Sequence, residues 1–210
     1  MSAHHELILG GQKSGKTVIP RWRTEFLGLP HGLNDWHRFV VGHPAFAARI
    51  HEWLATDAAH RALYLATARP WDAEMQTRIV RHQQERARRV PGMETLQMPE
   101  GSRSLPVVEL LQQHASPDTA IVLDCLTLWL TQQLMPMDGE SANAVQAEQA
   151  IHQLLQALRE YPGPLYIVSN EIGLGVIPLG RETRAFVDSL GSLNQRVAAD
   201  CSHVTLMAAG

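Results

Sequence analysis

The apolar run ELILG, residues 6–10, passes without a break into GGQKSGKT. Gly10, Gly15, Lys16 and Thr17 satisfy the pattern Gly-x-x-x-x-Gly-Lys-Ser/Thr directly after a predicted strand, which is the context such a loop needs. This juncture constrains the chain more than any other, because a phosphate loop must be fed by a buried strand of a largely parallel sheet. The glycines let backbone N–H groups turn inward, so Gly10, Gly11, Gln12, Lys13, Ser14, Gly15, Lys16 and Thr17 form the predicted triphosphate cradle. Lys16 supplies positive charge to the outer phosphates, and the Thr17 hydroxyl is a predicted Mg²⁺ ligand. The bland alternative is a glycine-rich turn with a solvated lysine.

Four further apolar runs follow: ALYLAT (62–67), AIVLD (120–124), LYIVS (165–169) and HVTLM (203–207). None alternates with polar residues, so each is predicted to be a strand buried on both faces. Helical spacing separates them, at Trp71–Arg89, Leu105–His114, Ala142–Tyr161 and Arg181–Asp200. The fold class predicted is α/β, a three-layer arrangement like that of the P-loop NTPases, with a mostly parallel sheet. With 210 residues and 45% hydrophobic content, a single domain spanning 1–210 is expected. Residues 18–50 carry prolines, glycines and aromatics with no clean period.

A formal charge of −3 offers no general attraction for nucleic acid or an anionic membrane. The longest apolar stretch, AIVLDCLTLWL, is interrupted by Asp124 and is too short to span a bilayer. Cys125 and Cys201 have no CxxC spacing and read as reduced core thiols, in keeping with a cytoplasmic protein. The eleven histidines include no HExxH or Cys/His ligand pattern that would mark a zinc site.

Asp124 closes the run TAIVLD, where an acidic residue beside a phosphate loop contacts Mg²⁺ or nucleotide; the alternative is a cap for the following helix. On the helix predicted for WDAEMQTRIVRHQQERARR, Arg78, His82 and Arg86 lie four residues apart in one stripe. Flanking cations favour a neutral, nucleophilic imidazole, and the guanidinium groups suit phosphate oxygens. Considered alone, such a stripe also reads as a solvated face. Asp72 and Glu74 suit the first turn of that helix. Asn170 and Glu171 follow the fourth apolar run, and loops at the carboxyl ends of parallel strands are where α/β sheets hold ligands.

Taken in order, GGQKSGKT, DAEMQTRIVRHQQER, DCLTLWLT and VSNEIGLGVIPLGRETRAFVDSLGSLNQRVAA resemble the bifunctional adenosylcobinamide kinase and adenosylcobinamide-phosphate guanylyltransferase family of cobalamin biosynthesis. The resemblance covers roughly residues 6–17 and 52–210. It implies two reactions. A nucleoside triphosphate, ATP or GTP, phosphorylates the aminopropanol hydroxyl of adenosylcobinamide; GTP then donates GMP to that phosphate through a guanylylated histidine. The family's RIxxH pattern assigns that histidine to His82, with Arg78, Arg86 and Lys16 as catalytic cations. It further implies nucleotide contacts from Asp124, Asn170 and Glu171, and Mg²⁺ held by Thr17 and Asp124.

Two departures stand out. Thr17 is followed by VIPRW rather than a basic helix, and the helix-like AFAARIHEWLA (45–55) comes later than the family pattern has it, so an insertion around 18–44 is expected. The chain also stops at LMAAG, short of the usual final segment. A homo-oligomer is expected, because one small domain offers limited concave surface to a corrinoid. Two other readings stay open from sequence: a kinase-only phosphate-loop enzyme, and a nucleotide-binding protein without turnover.

Overall fold

The computed structural model describes residues 4–10, 44–96, 106–135, 144–173 and 178–207. Six strands lie among the described residues: β1 (His5–Gly10), β2 (Arg61–Ala66), β3 (Met93–Leu96), β4 (Thr119–Asp124), β5 (Leu165–Asn170) and β6 (His203–Met207). Six helices lie among the described residues: α1 (Pro44–Thr56), α2 (Ala73–Arg89), α3 (Val107–Gln113), α4 (Leu126–Leu134), α5 (Ala144–Glu160) and α6 (Arg181–Asp200). The strands form one sheet in the order β3-β2-β4-β5-β1-β6, and every pairing is parallel.

Because strand side chains alternate between faces, the sheet divides the core in two. Leu7, Leu63, Leu65, Ile121, Leu123, Leu165 and Ile167 point to one side, where they meet buried residues of α3, α4, α5 and α6. Ile8, Ala62, Tyr64, Val122, Tyr166 and Val168 point to the other, where Ile50 of α1 and Val90 at the end of α2 cover them. The result is the predicted three-layer α/β fold. In α5, Ala147, Ile151, Leu154, Leu155 and Leu158 are buried at helical spacing, and Pro162 and Gly163 follow its end. Helix α6 spans the predicted residues, burying Leu190, Leu193, Asn194 and Val197.

Two expectations need correction. Strand β3, with the sequence METL, is too short and too polar to register as an apolar run; it belongs to the sheet because β2 offers it a free edge. Strand β6 is an edge strand rather than a doubly buried one, and Val204 and Leu206 are 51% and 56% exposed. Residues 45–55 lie within α1. The stretch 18–43, the greater part of the expected insertion, lies outside the described residues.

Candidate active site

The carboxyl ends of β1, β5, β4 and β2 bring Gly10, Asn170, Asp124 and Thr67 side by side. Gly10 pairs in register with Asn170, Val168 with Asp124, and Asp124 with Ala66. Gly10 is therefore the described anchor of the predicted cradle; Gly11, Gln12, Lys13, Ser14, Gly15, Lys16 and Thr17 lie outside the described residues.

Asp124 is 3% exposed and receives a hydrogen bond from the Tyr64 hydroxyl at Oδ2. It does not cap α4, whose N-cap residue is Cys125. Burial pushes the Tyr64 hydroxyl well above its ordinary value, the Asp124 charge adds to this, and the Arg86 charge opposes it. Tyr64 is thus a neutral phenol donating to a carboxylate. Behind its ring lies the Arg86 guanidinium, 3.9 Å from the ring centroid. Arg86 is only 7% exposed, and its Nε is buried with no hydrogen-bond partner among the described residues. A desolvated cation over an aromatic face gains about 2 kcal/mol.

Helix α2 supplies Arg86 and, one turn earlier on the same side, His82, which is partly exposed. Residues four apart on a helix have Cβ atoms roughly 5–6 Å from each other, so the imidazole and the buried guanidinium are neighbours along one face. The Arg78 side chain lies outside what is described. Asp72 is the N-cap of α2, accepting from the Met75 nitrogen at 2.6 Å, and Glu74 follows in the first turn. Both serve the helix terminus.

The end of β5 is fastened from three directions. Thr127 Oγ1 accepts from the Asn170 nitrogen at 3.0 Å, Asn194 Nδ2 donates to the Asn170 carbonyl at 3.0 Å, and the Glu171 nitrogen donates to the Gly10 carbonyl at 2.9 Å. Asn170 Oδ1 is buried and has no hydrogen-bond partner among the described residues. The Glu171 carboxylate accepts from the Gly173 nitrogen at 2.8 Å and so shapes its own loop. Beside this, the Thr67 hydroxyl accepts from the Cys125 nitrogen at 2.7 Å and donates to the Cys125 carbonyl at 2.9 Å, tying β2 to the start of α4.

Sequence reasoning passed over Tyr64, Thr67, Thr127 and Asn194. Each had a faint signal: a phenol inside an otherwise apolar strand run, a threonine just past that strand, a threonine in the first turn after Asp124, and an amide among the inward positions of α6.

Among the described residues no group of three or more His, Cys, Asp or Glu side chains can hold a metal ion. Mg²⁺ commonly uses one or two carboxylates together with substrate phosphates. The Asp124 carboxylate, at the carboxyl end of β4, fits as such a ligand, with Thr17 the other residue expected to contribute. No helix among the described residues is long and apolar enough to cross a membrane.

An all-parallel sheet covered by helices on both faces, with a Gly-x-x-x-x-Gly-Lys-Thr sequence leaving β1, defines an α/β protein of the phosphate-loop nucleotide-binding class. Residues 42–210 match the family model described as cobinamide kinase / cobinamide phosphate guanyltransferase, so the chain belongs to that family and is an enzyme of its bifunctional kind. It is 35% identical over 205 residues to the bifunctional adenosylcobalamin biosynthesis protein CobP of Pseudomonas aeruginosa, covering 98% of this chain and 93% of the relative. It is 32% identical over 160 residues to the CobU protein of Salmonella typhimurium, covering 72% and 84%, and 30% identical over 160 residues to that of Escherichia coli, covering 71% and 83%.

Proposed function

We propose that this chain phosphorylates adenosylcobinamide and then converts the product to adenosylcobinamide-GDP through a guanylylated His82. The observation that carries this reading is the position of His82 on the side of α2 that packs toward Tyr64 and Asp124, one turn from a buried cation.

In the kinase step the hydroxyl of the aminopropanol arm attacks the γ-phosphorus of ATP or GTP. The nucleoside diphosphate leaves, and the hydroxyl proton is released. In the transferase step an imidazole nitrogen of His82 attacks the α-phosphorus of GTP, forming a P–N bond as pyrophosphate departs. A phosphate oxygen of adenosylcobinamide phosphate then attacks the same phosphorus, the P–N bond breaks, and His82 is regenerated. Splitting one displacement into two is the gain from covalent catalysis.

Gly10 through Thr17 bind the triphosphate, Lys16 and Arg78 contact the transferring group, and Arg86 adds positive charge from the buried side of His82. Asn170 and Glu171 line the nucleotide site. Mg²⁺, held by Thr17 and Asp124, neutralises charge on the phosphates when bound. The half-exposed edge of β6 favours a homo-oligomer, which would extend the surface open to a bulky corrinoid.

Incubation with GTP labelled at the α-phosphate tests the transferase half. An acid-labile, base-stable adduct that disappears in His82→Ala is expected; equal labelling of the variant overturns the nucleophile. Product analysis separates this from a kinase-only enzyme, which would yield phosphorylated cobinamide and no GDP derivative.

A further inference from the structure

We infer that Tyr64 and Arg86 are positioning residues for Asp124, with Arg86 acting through the Tyr64 ring rather than by direct contact with a phosphate. This rests on the reading of Asp124 as a contact for the Mg²⁺-bound nucleotide.

The three side chains form a column across β4, β2 and α2. Asp124 and Tyr64 point to the same face of the sheet, because Tyr64 pairs with Val122 and Asp124 lies two residues further along β4. The hydroxyl reaches forward to Oδ2, which fixes the rotation of the carboxylate. Tyr64 is 2% exposed, so the ring has little room to swing.

Arg86 closes the column from below. A guanidinium that served a phosphate directly would be expected to reach into the site edge-on, presenting its N–H groups as a fork. Here its charge is centred over the ring, 3.9 Å from the centroid, and its Nε is turned into the protein interior. That placement holds the phenol against Asp124 while keeping a cation within the low-dielectric layer beneath the site. The groups orienting a metal ligand matter nearly as much as the ligand itself, with losses of about 10–100-fold in metal affinity when they are removed.

The test measures binding in the full-length protein without turnover: Mn²⁺ is titrated in the presence of a non-hydrolysable GTP analogue, and free Mn²⁺ is followed by EPR. Asp124→Asn should weaken Mn²⁺ binding by about tenfold or more, and Tyr64→Phe, which keeps the ring, by about tenfold, read under conditions where thermal unfolding shows the variant fully folded. Arg86→Met should weaken binding by a similar factor alone but add nothing in the Tyr64→Phe background. If Arg86→Met does not fold, Arg86→Lys, which lacks the flat guanidinium, takes its place in the cycle. Full affinity in Asp124→Asn overturns the reading of Asp124. Loss in Asp124→Asn with full affinity in Tyr64→Phe overturns the positioning role. Additive losses for Arg86 and Tyr64 show instead that Arg86 touches the ligand itself.

Discussion

The main-chain nitrogen of Glu171 donates to the carbonyl oxygen of Gly10 across 2.9 Å, fastening the end of β5 to the last residue before the glycine- and lysine-rich loop. The position of Gly10 therefore depends on how firmly β5 is held, and β5 is held by side chains from two helices.

Thr127 and Asn194 occupy the two main-chain hydrogen-bonding groups of Asn170. Thr127→Val leaves the Asn170 N–H without its acceptor, and Asn194→Leu leaves the carbonyl without its donor. Each is expected to cost about 1–3 kcal/mol in urea unfolding, as for other part-buried polar groups that lose a partner. Fluorescent GTP binding should weaken several-fold in both, since the displaced strand end carries Gly10 with it.

Gly163 sits where α5 turns into β5, and a Cβ there would lie 2.4 Å from the carbonyl oxygens of both Ser116 and Thr119. Both neighbours are main chain, so neither can rotate away. Gly163→Ala should lower stability by about 3 kcal/mol. Thermal unfolding of the variant checks this, and the guanylylation of folded protein should be little changed because the site lies at the opposite ends of the strands.

Glu6 is 3% exposed and bonded by Thr205 at 2.6 Å, Arg49 at 2.7 Å and His4 at 3.4 Å. Burial alone raises its carboxyl, but the Thr205 hydrogen bond, the Arg49 charge and the remaining bonds outweigh this and hold it below the usual glutamate value. A carboxyl depressed on folding stabilises the native state above its unfolded value, and that contribution fades as pH falls through the folded value. Stability should be level above about pH 5 and decline below it. Glu6→Gln should flatten that acid limb, as read by urea midpoints across pH 3–6.

Cys125 is fully buried, and burial together with the Asp200 and Glu6 charges pushes the Cys201 thiol up to about 11. At pH 8 roughly one Cys201 side chain in a thousand is thiolate. In native protein Cys125 should react with a thiol reagent only as fast as the chain opens and Cys201 should react slowly through its small thiolate fraction, whereas both thiols should react at once in denaturant. Rapid labelling of the native chain would contradict this environment.

Much of the frame was legible locally. Runs such as TAIVLD and LYIVS announce central strands because burial on both faces demands unbroken apolar sequence, and the spacing of α5 and α6 reports the faces they bury. Strand METL was not legible, since four mixed residues carry no period. The Arg78–His82–Arg86 stripe was visible as a spacing, but spacing alone did not distinguish solvent from sheet. The partners of Asn170 were hidden for a similar reason, as Thr127 and Asn194 are 43 and 24 residues away from it.

By itself, then, the sequence determined that a buried strand runs into a Gly-x-x-x-x-Gly-Lys-Thr sequence, that the sheet is parallel and helix-covered, and that a histidine lies between two arginines at helical spacing. These follow from local covalent order, periodicity and loop chemistry. Only the tertiary structure decided that Arg86 turns inward onto Tyr64, that Tyr64 reaches Asp124, and that Thr127 and Asn194 anchor the strand end beside Gly10. Those contacts depend on strand order and on which face each helix covers. They bring together residues far apart in the chain, and no local pattern encodes that proximity.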